Sequence, residues 1–384
     1  MDGRNFTIFG CLAILAISLF SCQRATTQPA PVQTPYQEEI LQAQKNIKQN
    51  PKNIDAISEL GTLYYKSRQF SKAVSILEKA LQLDPAHARS LCYLGLSYEM
   101  TGQLDPAMAI YLRYLQVANN SLYRKWLEGR HYIVTREKIK EDIKLLLLQE
   151  DAVDSRAVFE NTIIVLPFLY HGDDSKYFVL GKGLAEMIIN DLSVVEGVKL
   201  IDRLQVQALL DEVARRKTLS ENVQNSTSLI GRLFHAQTVV RGGFNTIGDE
   251  QFILDVAIWD VSKNEIPGTL TYADDMNRVL SLQKDIVENL LESVNIQLPA
   301  AAREHIRRIP TENMSAFIAF SAGIAKEDGG EYEEAIVFYK KALELDPNFR
   351  HSARKIEENK ILALAQRDPD QIILDSDYAR SFIQ

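Results

Sequence analysis

From residue 53 onward apolar side chains recur at helical spacing, and the whole pattern returns after 34 residues. In the first unit Leu60, Gly61, Tyr64, Phe70, Ala73 and Leu77 stand where the second has Leu94, Gly95, Tyr98, Leu104, Ala107 and Tyr111, and Ala80 and Pro85 complete the first unit. Small residues at these places let paired helices approach closely, and Pro85 ends the first unit before the next helix begins. A third copy at 316–347 keeps Ala322, Gly323, Tyr332, Ala335, Tyr339, Ala342 and Pro347, with Lys326 where the first two have Tyr64 and Tyr98. A further helix is expected at 36–49. A long helical extension is expected over 122–149, its apolar face at 139–148 free to cover the repeat end or to pack on the next domain.

These units resemble tetratricopeptide repeats, which implies an interaction scaffold that often uses the concave face of a repeat stack. Tyr114 departs from the small residue usual in that family, so the second unit is expected to end capped or reoriented. Tyr64 and Tyr98 recur at packing positions and read as core contacts rather than ligand contacts.

Around residue 161 the period changes. The run 162–168 is β-rich, a polar turn with Gly172, Asp173 and Asp174 follows, and 180–192 is helical. Another strand at 198–201, helices at 204–213 and 228–234, strands at 237–244, 252–259 and 266–272, and a closing amphipathic helix at 280–294 complete a β-α-β-α order that runs into a strand series. Gly248 and Asp249, then Lys263 and Asn264, supply the turns. Phe252, Leu254, Val256 and Ile258 point one way, while Ile253, Ala257 and Trp259 make the opposite face apolar enough to need partial cover.

The ordered motifs Ile163 to Phe168, Gly181 with Gly183, Leu184 and Ala185, Ile201 with Arg203, Leu204 and Gln205, Leu209 with Leu210, Asp211 and Glu212, and Val239, Val240 and Gly242 ahead of Asp255 and Asp260 resemble the α/β domain of the CsgG-like family of bacterial envelope lipoproteins. They are also similar to TolB amino-terminal-type domains. The resemblance implies an envelope lipoprotein, and in its curli-secretion members a pore to which each subunit contributes two membrane hairpins. A spanning strand takes about 9 to 11 residues. The stretches 192–197 and 242–251 hold little more than turns on this reading, which disfavours a secretion-channel component.

The first residues add an address. Positions 8–20 are almost wholly apolar after Arg4, and a helix of that length reaches only about 20 Å, short of a bilayer core, so a signal segment is expected over a permanent span. Leu19, Phe20, Ser21 and Cys22 look like a bacterial lipobox, which makes Cys22 the lipidated residue; Phe20 departs from the usual small or aliphatic choice. Residues 23–35, rich in Thr, Gln and Pro, suit a tether. Gln23 lacks an acidic inner-membrane retention signal, so the outer membrane is the expected destination and an inner-membrane anchor the alternative.

Charge changes this picture little. The chain has 384 residues with 43 Lys and Arg against 51 Asp and Glu, a net charge of −8 that argues against nucleic acid as a partner. Of three cysteines only Cys92 falls in the folded body, and no CxxC pair offers zinc or redox chemistry. The six histidines are dispersed, and His171 beside Asp173 and Asp174 reads as a solvated turn rather than a metal site. The basic and glycine clusters Gly181, Lys182 and Gly183, and Arg241, Gly242 and Gly243, lack a phosphate-loop pattern. Asp202 beside Arg203 reads as a local surface pair, and Asp211 and Glu212 as solvent or helix contacts. No catalytic, cofactor-binding or metal residue is therefore assigned, and no cofactor is expected.

The resulting organisation is multidomain α+β: a signal peptide at 1–21, a lipidated tether at 22–35, tetratricopeptide repeats at 36–120, a helical connector at 121–158, a CsgG-like α/β domain with a mixed sheet at 159–309, and a C-terminal tetratricopeptide-like hairpin with a terminal helix at 310–384. The expected function is a non-enzymatic, lipid-anchored scaffold or adaptor facing the periplasm. It would bind envelope protein or peptide partners through the repeats, self-associate through the central domain and meet the membrane through its lipid. One isolated helical hairpin folds poorly, so the distant repeat is expected to dock on the central domain or on the earlier repeats.

Overall fold

The repeat pattern begins with local chemistry at the helix starts. Asn53 and His87, 34 positions apart, and Asn313 each accept a hydrogen bond from the backbone N–H three residues on, which satisfies one of the free donors of the first turn. In a computed structural model of the chain, residues 36–148, 158–216, 223–248 and 250–374 are described. The N-terminal block contains α1 (Gln37–Gln49), α2 (Ile54–Lys66), α3 (Phe70–Leu83), α4 (Ala88–Met100) and α5 (Leu104–Tyr111). Its core buries Leu60, Ala73, Leu77, Leu94, Ala107 and Tyr111, the positions read from the repeat. Tyr64 is buried, whereas Tyr98 is half-buried and donates its hydroxyl to Glu78 at 2.8 Å.

The second unit ends as Tyr114 suggested. Past Tyr111 the chain tightens into a 3₁₀ turn, Leu112–Gln116. The Arg124 guanidinium stacks on the Tyr114 ring at 5.4 Å and donates to the carbonyls of Tyr114 and Val117 at 3.1 and 2.7 Å, satisfying acceptors that a stopped helix leaves open.

The helix α6 (Leu122–Leu148) follows, and its length of about 40 Å lets it serve two cores. Trp126, Leu127 and Val134 join the core of the N-terminal repeats, while Ile143 and Leu147 join a core beneath the sheet of the central domain. The expected connector is a strut that touches both.

The central domain comprises β1 (Phe159–Val165), β2 (Leu169–Tyr170), α7 (Leu180–Leu192), β3 (Lys199–Leu200), α8 (Arg203–Arg216), α9 (Val223–Leu233), β4 (Ala236–Ile247), β5 (Gln251–Asp260), β6 (Glu265–Asp275) and α10 (Val279–Ser293). The described strands form a six-stranded mixed sheet in the order β3-β1-β4-β5-β6, with β2 paired to β4. β1 is parallel to β3 and β4, and β4, β5 and β6 run antiparallel. α7 and α10 cover one face; α8, α9 and the end of α6 cover the other, where Trp259 is buried. The stretch 242–251, read as a turn, is mostly strand: β4 continues to Ile247 and pairs in register with β5, which begins at Gln251.

After α11 (Ala300–Ile306) the third repeat unit forms as α12 (Met314–Asp328) and α13 (Tyr332–Leu345), followed by α14 (Arg350–Ala365) and α15 (Pro369–Leu374). It docks on both neighbours. Phe317, Phe320 and Tyr339 share one core with Leu184 and Ile188 of α7, and Leu364 and Ile372 enter the core of the N-terminal repeats. Two glycines mark these contacts: a Cβ at Gly183 would fall on Ser321 of α12, and one at Gly129 on the Ile361 carbonyl and Ala365 of α14. In the Gly181, Lys182 and Gly183 cluster, Gly183 thus serves close helix packing, while a Cβ at Gly181 would fall on the Phe168 carbonyl.

Candidate functional site

Chemistry gathers where the C-terminal unit meets the rest, in two places. The first is the face lined by α2, α4 and α6. Tyr93 is buried on α4, its ring beside Tyr65 at 5.4 Å, with the Lys66 ammonium and the Arg89 guanidinium over it at 5.6 and 5.7 Å. Both cations converge on Asp370 of α15. Arg89 binds it through two parallel bonds of 2.8 and 2.9 Å, and Lys66 adds a third at 2.8 Å. The third guanidinium bond goes to Glu59 at 2.5 Å, which fixes the plane of the fork.

Backbone and apolar contacts complete the grip. Tyr93 donates its hydroxyl to Asp368 at 3.1 Å, Trp126 donates its indole N–H to the Arg367 carbonyl at 2.8 Å, and Ile372 is buried. Burial by itself would push the Asp370 carboxyl up, but Arg89 and Lys66 outweigh it and hold that group well below the usual carboxylate range. Burial and the nearby Asp370 and Asp368 push the Tyr93 phenol up, so the hydroxyl stays a donor. This face can therefore hold a short segment that brings a carboxylate followed by an apolar side chain.

The second place lies at the carboxyl ends of β1 and β3. Their helices α7 and α8 leave to opposite faces of the sheet, which opens a crevice where doubly wound domains take ligands. Here α12 fills it. Asp328 bridges Lys182 at 2.6 Å and Arg203, and the space left between Pro167, Ala185, Gln207 and these side chains is only about 10 Å³. Arg203 also binds Glu186 at 3.0 Å and Glu327 at 2.9 Å.

Glu327 is 2 % exposed and receives Lys355 at 3.0 Å, Tyr339 at 3.0 Å and Asn359 at 2.7 Å. Burial raises its pKa, yet Lys355 and Arg203 more than offset that and hold it at about 2. Arg136 of α6 closes the arrangement by donating to the carbonyls of Glu327 and Asp328 at 2.9 and 2.7 Å, so three parts of the chain meet at one helix end.

Arg203 is therefore not the partner of Asp202 in a surface pair. Asp202 instead accepts from the Leu204 N–H at 2.7 Å and starts α8, which leaves the guanidinium free to reach inward. Glu212 is buried and paired with Arg215 and Arg216 at 2.6 Å each, which holds its carboxyl at about 2. Asp174 caps the turn after His171 by accepting from the Lys176 N–H at 3.1 Å. Arg241 donates to Thr227 at 2.7 Å. Cys22 lies outside the described residues. Cys92 is a buried free thiol whose pKa burial pushes up. Among the described residues no group of three or more His, Cys, Asp or Glu side chains is placed to hold a metal ion, and no helix is long and apolar enough to cross a membrane.

Lys66, Arg89 and Asp370 escaped the reading of the sequence, which weighed only the recurrent tyrosines. A signal was present: Asp368 ahead of Pro369 is a helix start, with a capping carboxylate before a proline in the first turn. The cap is realised, since Asp368 accepts from the Asp370 N–H at 2.9 Å.

No curated protein matches the chain. Residues 58–121 and residues 323–349 each match the tetratricopeptide repeat, so both helical blocks, one before and one after the α/β domain, are repeats of a protein-interaction type.

Proposed function

We propose that the chain is a non-enzymatic, lipid-anchored scaffold or adaptor that faces the periplasm and brings envelope proteins together in assembly. The observation that carries this reading is the α2, α4 and α6 face, whose cations and aromatic rings already hold a short acidic and apolar segment. The central domain, with its resemblance to CsgG-like lipoproteins, supplies a second docking or self-association surface. The resemblance of residues 19–22 to a lipobox supports attachment through Cys22, with the outer membrane as destination.

Two measurements test it. Native co-purification of the full chain from solubilised membranes should retain a partner that Lys66→Glu/Arg89→Glu loses while its circular dichroism stays that of the wild type. An unchanged set of partners would sink the repeat-face reading. Mass analysis of the mature amino terminus should find a diacylated thioether at Cys22, absent in Cys22→Ser; an unmodified Cys22 in the wild type would remove the membrane attachment.

A further inference from the structure

Segment 367–374 differs from the rest of the C-terminal unit in what holds it. α14 is fixed by close helix packing at Gly129 and by the fully buried Leu364. Beyond it the chain turns at Gln366 and Arg367, and α15 has six residues, too few for a helix to be stable alone.

Its anchors are those of a bound peptide. Asp370 lies between Lys66 and Arg89 with its side chain 20 % exposed and theirs 29 % and 23 %, so the contact sits at a rim open to solvent and salt. Ile372, 1 % exposed, fills the apolar site beside it. The Glu327 cluster contrasts with this: the side chains of Glu327, Asp328 and Glu186 are only 3 %, 4 % and 9 % exposed and carry partners from several helices, which makes it a permanent joint. The same C-terminal unit is therefore fastened at one end and only clipped at the other.

We propose that segment 367–374 is an in-chain ligand of the repeat face, and that the partner recognised there is a protein segment of the same chemistry, a carboxylate followed two positions on by a branched apolar side chain, which enters by displacing it. This inference rests on the repeat-face reading given above. It adds that the face is covered until a competing segment arrives, and that Lys66, Arg89 and Tyr93 choose the competitor.

The test uses the full chain and a labelled synthetic peptide of residues 365–376, read by fluorescence anisotropy. Asp370→Ala/Ile372→Ala removes the carboxylate and the apolar anchor in place, leaves the face intact, and leaves the segment only the bonds from Tyr93 to Asp368 and from Trp126 to the Arg367 carbonyl. The peptide should bind this variant at least tenfold more tightly than it binds the wild type. Adding Lys66→Glu, or replacing the peptide's own aspartate at position 370 by asparagine, should return binding to the wild-type level. Hydrogen exchange over 367–374 should speed up in the double variant while α4 and α6 keep their protection. Continued protection of 367–374 in that variant would overturn the proposal, and so would release of the segment without a gain in peptide binding.

Should the double variant fail to fold, Lys66→Glu alone decides the matter. It should accelerate exchange in 367–374 at least tenfold with thermal unfolding unchanged; an equal loss of protection across α4 and α6 would overturn the proposal. A partner lost on co-purification with Lys66→Glu/Arg89→Glu, together with no peptide binding to the opened chain, would sink the in-chain ligand alone and leave the repeat-face reading standing.

Discussion

Glu327→Ala is expected to lower stability by about 3–5 kcal/mol, because it takes from a buried ion cluster the carboxylate that Lys355 and Arg203 share, and leaves only the buried Glu186 and Asp328 against them. Lys355 and Arg203 would stay buried with one partner fewer, and the Tyr339 hydroxyl and Asn359 amide would lose their common acceptor. Glu327→Gln should be little better, since an amide nitrogen would then face Lys355 or Arg203. Urea unfolding measures the loss, and a value under about 1 kcal/mol would show that the cluster is not the joint described here. The pH dependence has a definite sign. The folded-state pKa of about 2 lies below the ordinary 4.5, so the contribution is fully present above 4.5 and drains away as pH falls toward 2. The gap between wild type and Glu327→Ala should therefore narrow across that window.

The second large effect is expected at Trp126. Its side chain is fully buried, meets Tyr111 edge-on at 5.8 Å and bonds the Arg367 carbonyl at 2.8 Å, so it supports the N-terminal repeats and segment 367–374 together. Trp126→Ala should cost about 3–5 kcal/mol through the cavity it leaves. Trp126→Phe retains most of the apolar volume and mainly forfeits the indole bond, a loss of about 1 kcal/mol. Unfolding curves of the two variants separate these contributions. Equal losses would assign the whole effect to the hydrogen bond and contradict the packing account.

Much of the fold was legible because it is written in local spacing. Ala73, Ala107 and Ala335 sit at a crowded crossing in each repeat, and crowding restricts residue choice strongly enough to leave a period. The strand series was legible for a similar reason: Phe252, Leu254, Val256 and Ile258 alternate because only one side of β5 meets α7 and α10. What stayed hidden was pairing over distance. Arg203 looked like the partner of Asp202 because neighbours in sequence are the natural first candidates, whereas two of its three carboxylates, Glu327 and Asp328, stand more than a hundred positions further on and the third, Glu186, lies on the preceding helix. The extension at 122–149 read as amphipathic in part only, since its contacts change from one domain's core to another's along its length, which blurs any single apolar stripe. The grip of Lys66 and Arg89 on Asp370 leaves no period at all: one carboxylate on a six-residue helix carries no pattern until the fold brings it home.

The position of the third repeat unit also sets an order of events as the polypeptide emerges. The bonds from Arg89 to Asp370 join residues 281 apart, and those from Arg203 to Asp328 residues 125 apart. The N-terminal repeats and the sheet are thus complete in sequence before the piece that neutralises their inward-facing cations has been made. Until then Lys182, Arg203 and Arg136 lack the acceptors that α12 brings, and the apolar flank of α7 lacks its cover. Closing such widely separated contacts is slow, because the entropy of the intervening chain is lost before the contacts compensate for it. A product broken off before α12 would carry an unmet patch of positive charge and exposed aliphatic surface, the kind of surface on which chaperones and proteases act. The late arrival of one helical hairpin thereby makes the covering of that surface the mark of a finished molecule.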